Sequence, residues 1–164
     1  MEVRRVTSLD ATSLQQVRLA ALLEAPSAFG STYQAEANRP DAEWLQRAGV
    51  GSRGSDTATF FAQVDGDIVG LVGGYRKQPS SPTVELVSLW VAPRVRGRGV
   101  GGLLVDAVTG WATQTGATSV LLWVTSGNTP AEHLYRSKGF IATGEVQPLP
   151  SDPTRDEGRM MLIV

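Results

Sequence analysis

The chain has 164 residues, 41% hydrophobic and 19% charged, which fits one domain with one core and is not the composition of a disordered chain. Fifteen basic and sixteen acidic side chains leave a formal charge of −1, so neither nucleic acid nor a membrane surface gains general electrostatic support as a partner. With no cysteine and a single histidine, a disulfide, a thiolate nucleophile and a Cys- or His-rich metal cluster are excluded, and no metal is expected.

In chain order, Glu2–Thr7 has strand character, and Leu9, Leu14, Val17, Ala21 and Leu22 recur at helical spacing, predicting a helix over 10–24 that Ala25-Pro26 ends. Residues 27–39 have mixed character. Pro40-Asp41 opens a short helix through Trp44, Leu45 and Ala48, and 49–56 reads as a loop. Asp65-Gly66 joins strands over 58–64 and 68–75 as a hairpin. A turn at 78–82 leads into a strand over 83–91. A helix follows with Val100, Leu103, Leu104, Ala107, Val108 and Trp111 on one face and Gly116 as its cap. A buried strand over 118–125, a short helix over 130–138 and strands over 140–146 and 159–164 complete the chain, with 147–158 as a polar, proline-containing loop. The order βααβββαβαββ predicts an α/β chain whose mixed sheet is covered by helices, with no linker between domains. No apolar run approaches the roughly 18 residues of a membrane helix, and the first residues lack a signal-peptide core, so a cytoplasmic location is the expectation.

The chemistry concentrates in Val84–Leu104, V-E-L-V-S-L-W-V-A-P-R-V-R-G-R-G-V-G-G-L-L. A strand ends at Pro93, an arginine- and glycine-rich turn follows, and a helix begins. Glycines let a ligand approach the backbone, and a helix start offers unpaired N–H groups and a positive dipole end. Arg94, Arg96 and Arg98 add forked donors suited to phosphate oxygens, and no acid lies between Glu85 and Asp106 to neutralise them. Arginine at a helix start is locally unfavourable unless an anion binds there. A phosphate-bearing ligand is therefore expected, against the plainer reading of a strand-to-helix turn with solvated arginines.

Three known arrangements give such a turn. A Walker loop needs a lysine and a Ser/Thr after its glycines, and both lysines, Lys77 and Lys138, lie elsewhere. A dinucleotide fingerprint is met literally by Gly97, Gly99 and Gly102, but no carboxylate stands between Asp106 and Glu132 to hold a ribose. The third is R-x-x-G-x-G, met by Arg96, Gly99 and Gly101. With its flanking strand and the later segment Asn128-Thr129-Pro130-Ala131-Glu132-His133-Leu134-Tyr135-Arg136-Ser137-Lys138-Gly139-Phe140, it resembles the GNAT superfamily of N-acetyltransferases, whose elements it matches over Val84–Phe140.

The resemblance implies one GNAT-like domain over 1–164, an α+β mixed sheet that is mostly antiparallel, and acetyl-CoA as cosubstrate. It implies that Arg96, Gly97, Arg98, Gly99, Gly101 and Gly102 wrap the diphosphate. Backbone groups of Leu89 and Val91 would hold the pantetheine arm and the thioester oxygen, and Asn128 would bond that arm or cap its helix. Tyr135 matches the general acid for the leaving thiolate, against a half-buried packing role. Glu85 stands where several members carry a general base; otherwise it is a solvent-facing strand glutamate. His133, two residues from Tyr135, is read as a surface residue because i and i+2 do not share a helix face. Residues 25–32 and 148–153 would face the acceptor, with Asp152, Asp156 and Glu157 available to attract a cation. The acceptor is a small-molecule, peptide or protein amine, and a homodimer is compatible with the family. The competing function is a non-catalytic acyl-CoA sensor or partner-binding module, which would need the glycine turn but neither Tyr135 nor Glu85.

Overall fold

The computed structural model describes residues 1–164. Seven strands form one sheet in the order β1-β2-β3-β4-β5-β7-β6: β1 (Glu2–Arg5), β2 (Thr57–Val64), β3 (Asp67–Tyr75), β4 (Thr83–Val91), β5 (Ser119–Thr125), β6 (Ile141–Leu149) and β7 (Asp152–Ile163). Every neighbouring pair is antiparallel except β4 and β5. The helices are α1 (Ala11–Glu24), α2 (Tyr33–Ala37), α3 (Asp41–Gly51), α4 (Val100–Gln114) and α5 (Thr129–Ser137). The mixed α/β architecture matches the expectation, with one helix more before β2, because Thr32 caps a short turn of helix by accepting from the Ala35 N–H at 3.2 Å.

Two cores flank the sheet. Leu14, Val17, Ala21 and Leu22 of α1 meet Trp44 and Ala48 of α3 over Phe61 and Leu71. On the other face Val100, Leu104, Val105, Val108 and Trp111 of α4 cover Ala62, Val72, Val84 and Val120. Alternation along β2 and β3 explains the split, since successive side chains face opposite sides. Gly74 lets α4 lie close, because a Cβ there would sit 3.0 Å from Val108 and 3.1 Å from Trp111. Leu9 and Leu103, read as core-facing, are 93% and 40% exposed. Leu9 precedes the first turn of α1, and Leu103 sits at the edge of the apolar stripe of α4.

The Asp65-Gly66 hairpin forms as expected, with φ of 53° and 87° suiting a primed turn. The polar segment 147–158 is not a loop. It is the inner half of a β6–β7 hairpin, in which Gln147 pairs with Glu157 and Pro148 with Asp156. Proline is tolerated there because β6 is the edge strand and leaves one side of its backbone unpaired.

Candidate active site

Strands β4 and β5 pair over only three residues, Thr83–Glu85 with Ser119–Leu121. Beyond Glu85, β4 keeps its bonds to β3 and β5 keeps its bonds to β7, so the two parallel strands part. A cavity of about 1090 Å³ is lined by both strands here, and also by the turn before α4, by α5 and by the segment after α1. It brings together nine of the eleven residues singled out above: Leu89, Val91, Arg96, Gly97, Gly99, Gly101, Gly102, Asn128 and Tyr135.

At one end lies the start of α4. Gly97 and Gly99 adopt left-handed φ of 75° and 83°, and nothing lies within 4 Å of where a Cβ would project. The first turn of α4 contains no acid, so its free N–H groups face no built-in anion. The tertiary fold does supply acids to the arginines, which their linear spacing had not suggested. Asp67 pairs with Arg94 at 3.2 Å, and Glu24, the last residue of α1, pairs with Arg96 at 2.5 Å. Arg96 also donates to the Val91 carbonyl at 2.9 Å, and the Trp90 indole donates to Glu24. Arg96 and Trp90 together hold the Glu24 carboxyl below the usual carboxylate range. A phosphate at this turn must therefore compete with Glu24 for Arg96. Arg98 is exposed and lies outside the cavity wall.

Midway along, β4 carries a bulge. Leu71 faces Trp90 but Gly73 faces Val87, so Ser88 and Leu89 together oppose Val72. Ser88 has φ of 60°, a strained value for a residue with a side chain. Such a kink takes backbone groups out of the ladder beside the cavity. No side-chain pattern announces it, and the sequence reading missed it.

At the other end, Tyr135 of α5 is 6% exposed and tilts against Phe140 with ring centres 5.7 Å apart. Burial pushes its phenol well above the ordinary value, and no hydrogen bond within the chain offsets that effect. The phenol is thus held neutral, with its proton free for an outside partner. Asn128 caps α5 by accepting from the Ala131 N–H at 3.4 Å, which occupies its oxygen and leaves its amide donors beside the cavity. His133 is exposed, as read, yet it lines the same cavity as Tyr135. The i, i+2 argument excludes a shared face but not a shared rim, because the cavity wraps around α5.

Glu85 behaves differently from either role considered for it. It is buried, and Arg159 of β7 clamps both its oxygens at 2.8 and 2.5 Å while Lys77 lies 3.5 Å away. It does not line the cavity, and taking up a proton there means breaking a buried ion pair. Two of the acids proposed to attract a cationic acceptor are turned to other work, while Asp156 is exposed. Glu157 accepts from Gln147 at 2.7 Å, and Asp152 accepts from the Thr154 hydroxyl at 2.5 Å. No carboxylate lines the cavity; Arg96, His133 and Arg155 are its only titratable side chains besides Tyr135.

Residues 19–140 match the model of the Acetyltransferase (GNAT) family. Streptothricin acetyltransferase from Streptomyces lavendulae is 36% identical over 98 residues, covering 58% of this chain and 51% of that protein. The chain thus spans about half the length of that curated relative. A GNAT-family acetyltransferase from Streptococcus pneumoniae superposes with a TM-score of 0.83 at 21% identity, covering 99% of this chain and 98% of that one. Spermidine N-acetyltransferase from Vibrio cholerae, solved in complex with CoA and spermine, gives a TM-score of 0.77 at 17% identity over 99% and 94% of the two chains.

Proposed function

Because the chain belongs to the Acetyltransferase (GNAT) family, we propose that it transfers an acetyl group from acetyl-CoA to a primary amine by direct attack in a ternary complex. One observation carries this reading: a single cavity runs from an acid-free helix start, past a backbone bulge, to a buried neutral phenol. The residues present fit acetyl-CoA, since open space above Gly97 and Gly99 admits a diphosphate against the N–H groups of α4.

When bound, the thioester supplies an acyl carbon open to attack and a sulfur that must leave with a proton. Arg96 and the backbone of Gly97–Gly102 hold the diphosphate, and the Asn128 amide and the β4 backbone at Leu89 and Val91 align the arm. A backbone N–H at the bulge stabilises negative charge developing on the acyl oxygen without rearranging. Tyr135 gives its phenolic proton to the departing sulfur. The amine nitrogen bonds to the acyl carbon as the carbon–sulfur bond breaks, and its surplus proton returns through water to the Tyr135 phenolate, since both Glu85 oxygens are already engaged. With no cysteine in the chain, no cysteinyl intermediate forms.

The reading is tested by titrating acetyl-CoA calorimetrically and by following thiol release across an amine panel. Saturable binding is expected, and cofactor at about 100 times its Kd should stabilise the fold by about 2.7 kcal/mol. Glu24→Gln should bind acetyl-CoA more tightly, because it frees Arg96 from its internal competitor. No binding at saturating cofactor overturns the proposal. Binding without thiol release from any amine supports an acyl-CoA sensor instead.

A further inference from the structure

A second cavity, of about 430 Å³, is walled by helices α1 and α3 and by strands β2, β3 and β4. It shares no lining residue with the cofactor cleft, yet both reach the bulge: Ser88 lines one and its neighbour Leu89 lines the other. Its body is apolar, with Leu14, Trp44 and Val87 among its walls, and its mouth reaches solvent at Val50, which is 45% exposed. The volume falls within the range of small-molecule sites, about 300–1,000 Å³.

Its charge is unusual. Arg18 and Arg47 both line the cavity, and both bond one carboxylate, Glu36, which is 1% exposed and is not itself part of the wall. Two guanidiniums on one carboxylate leave a surplus positive charge, and no acidic side chain lines the cavity. The forks are pre-set. Arg18 donates to Glu36 through Nε and Nη2 and reaches the Ser88 Oγ at 3.3 Å through Nη1. Arg47 uses only Nη1, at 2.9 Å, and stacks 5.0 Å from the Trp44 ring, so its Nε and Nη2 have no partner in the chain. A guanidinium fixed by stacking and by one ion pair, with two donors free, matches a carboxylate in bidentate geometry. The buried Trp44 indole N–H is also without a partner.

Resting on the acetyl-transfer reading above, we infer that this cavity is the acceptor pocket and that the acceptor is a primary amine bearing a carboxylate on an apolar body. Arg47 anchors the carboxylate, the apolar walls hold the body, and the amine is presented at Ser88, one residue from where the acyl group lies. A polyamine or another multiply cationic acceptor meets the wrong charge here, since the titratable side chains that line the cavity are two guanidiniums and the Tyr75 phenol.

Calorimetry on the cofactor-free protein tests this separately from acetyl-CoA binding. Phenylalanine, leucine and 6-aminohexanoate are each compared with their carboxamides, with spermidine as the cationic control. At least one carboxylate should bind tenfold or more tightly than its amide, the strength of a charge-assisted contact. Arg47→Gln should abolish that preference, Arg47→Lys should restore part of it, and acetyl-CoA affinity should be unchanged in both. The ligand comparison within the wild-type protein stands even if a variant folds poorly. No carboxylate preference for any pair, a preference that survives Arg47→Gln, or tighter binding of spermidine overturns the inference. Acetyl-CoA binding in those same experiments would leave the broader function standing.

Discussion

Tyr135→Phe should lower kcat by about a hundredfold or more, the usual scale of general acid catalysis, while acetyl-CoA affinity stays unchanged. The substitution is close to isosteric. The ring keeps its place against Phe140, and the lost hydroxyl had no partner in the chain, so no buried group is left unsatisfied. Burial raises the phenol above its ordinary value, so the proton-donating form persists beyond the pH at which an exposed tyrosine ionises, about 10. The alkaline limb of the profile should therefore not fall through Tyr135. Instead, kcat/KM should climb with pH as an amine of ordinary basicity, near pKa 10.4, loses its proton. Steady-state thiol release from pH 6 to 10 checks both points. Unchanged turnover in the phenylalanine variant removes Tyr135 from the chemistry.

Glu36→Gln is expected to destabilise the fold by about 3 kcal/mol, because it strands Arg18 and Arg47 without their shared counter-charge. Arg18 is chief among the partners that outweigh burial and hold the Glu36 carboxyl at about 2, against an ordinary 4.5. The folded-state value lies below the unfolded one. The contribution is thus complete above about pH 4.5 and is lost as pH falls through about 2. Denaturant midpoints measured at pH 7 and at pH 3 should show the wild-type advantage shrinking in acid. Equal midpoints at pH 7, or a gap indifferent to pH, contradict the assignment.

What could be read from the letters was what local physics encodes. The turn Arg96–Gly102 was legible because glycine spacing, charge and a helix start act within a few residues. Tyr135 and Asn128 were legible because a capped short helix fixes their relation. The parting of β4 from β5 was not legible, since it depends on pairing between residues such as Thr83 and Ser119 that lie far apart in the chain. The Ser88 bulge is a backbone event with no composition of its own. Glu24 and Arg96 meet only once α1 packs on the sheet, and Glu85 meets Arg159 across 74 positions. Linear proximity could therefore neither reveal the acid that pairs with Arg96 nor show that the supposed base was engaged. The β6–β7 hairpin was misread because prolines and charges, which mark loops elsewhere, are tolerated on an exposed edge strand.

A crystal structure of the protein with acetyl-CoA tests the central claim most directly. The account predicts the diphosphate on the N–H groups of Gly97–Gly102, Arg96 released from Glu24, and the thioester between Leu89 and the Tyr135 hydroxyl. A diphosphate bound elsewhere, or an acyl group remote from Tyr135, would contradict it.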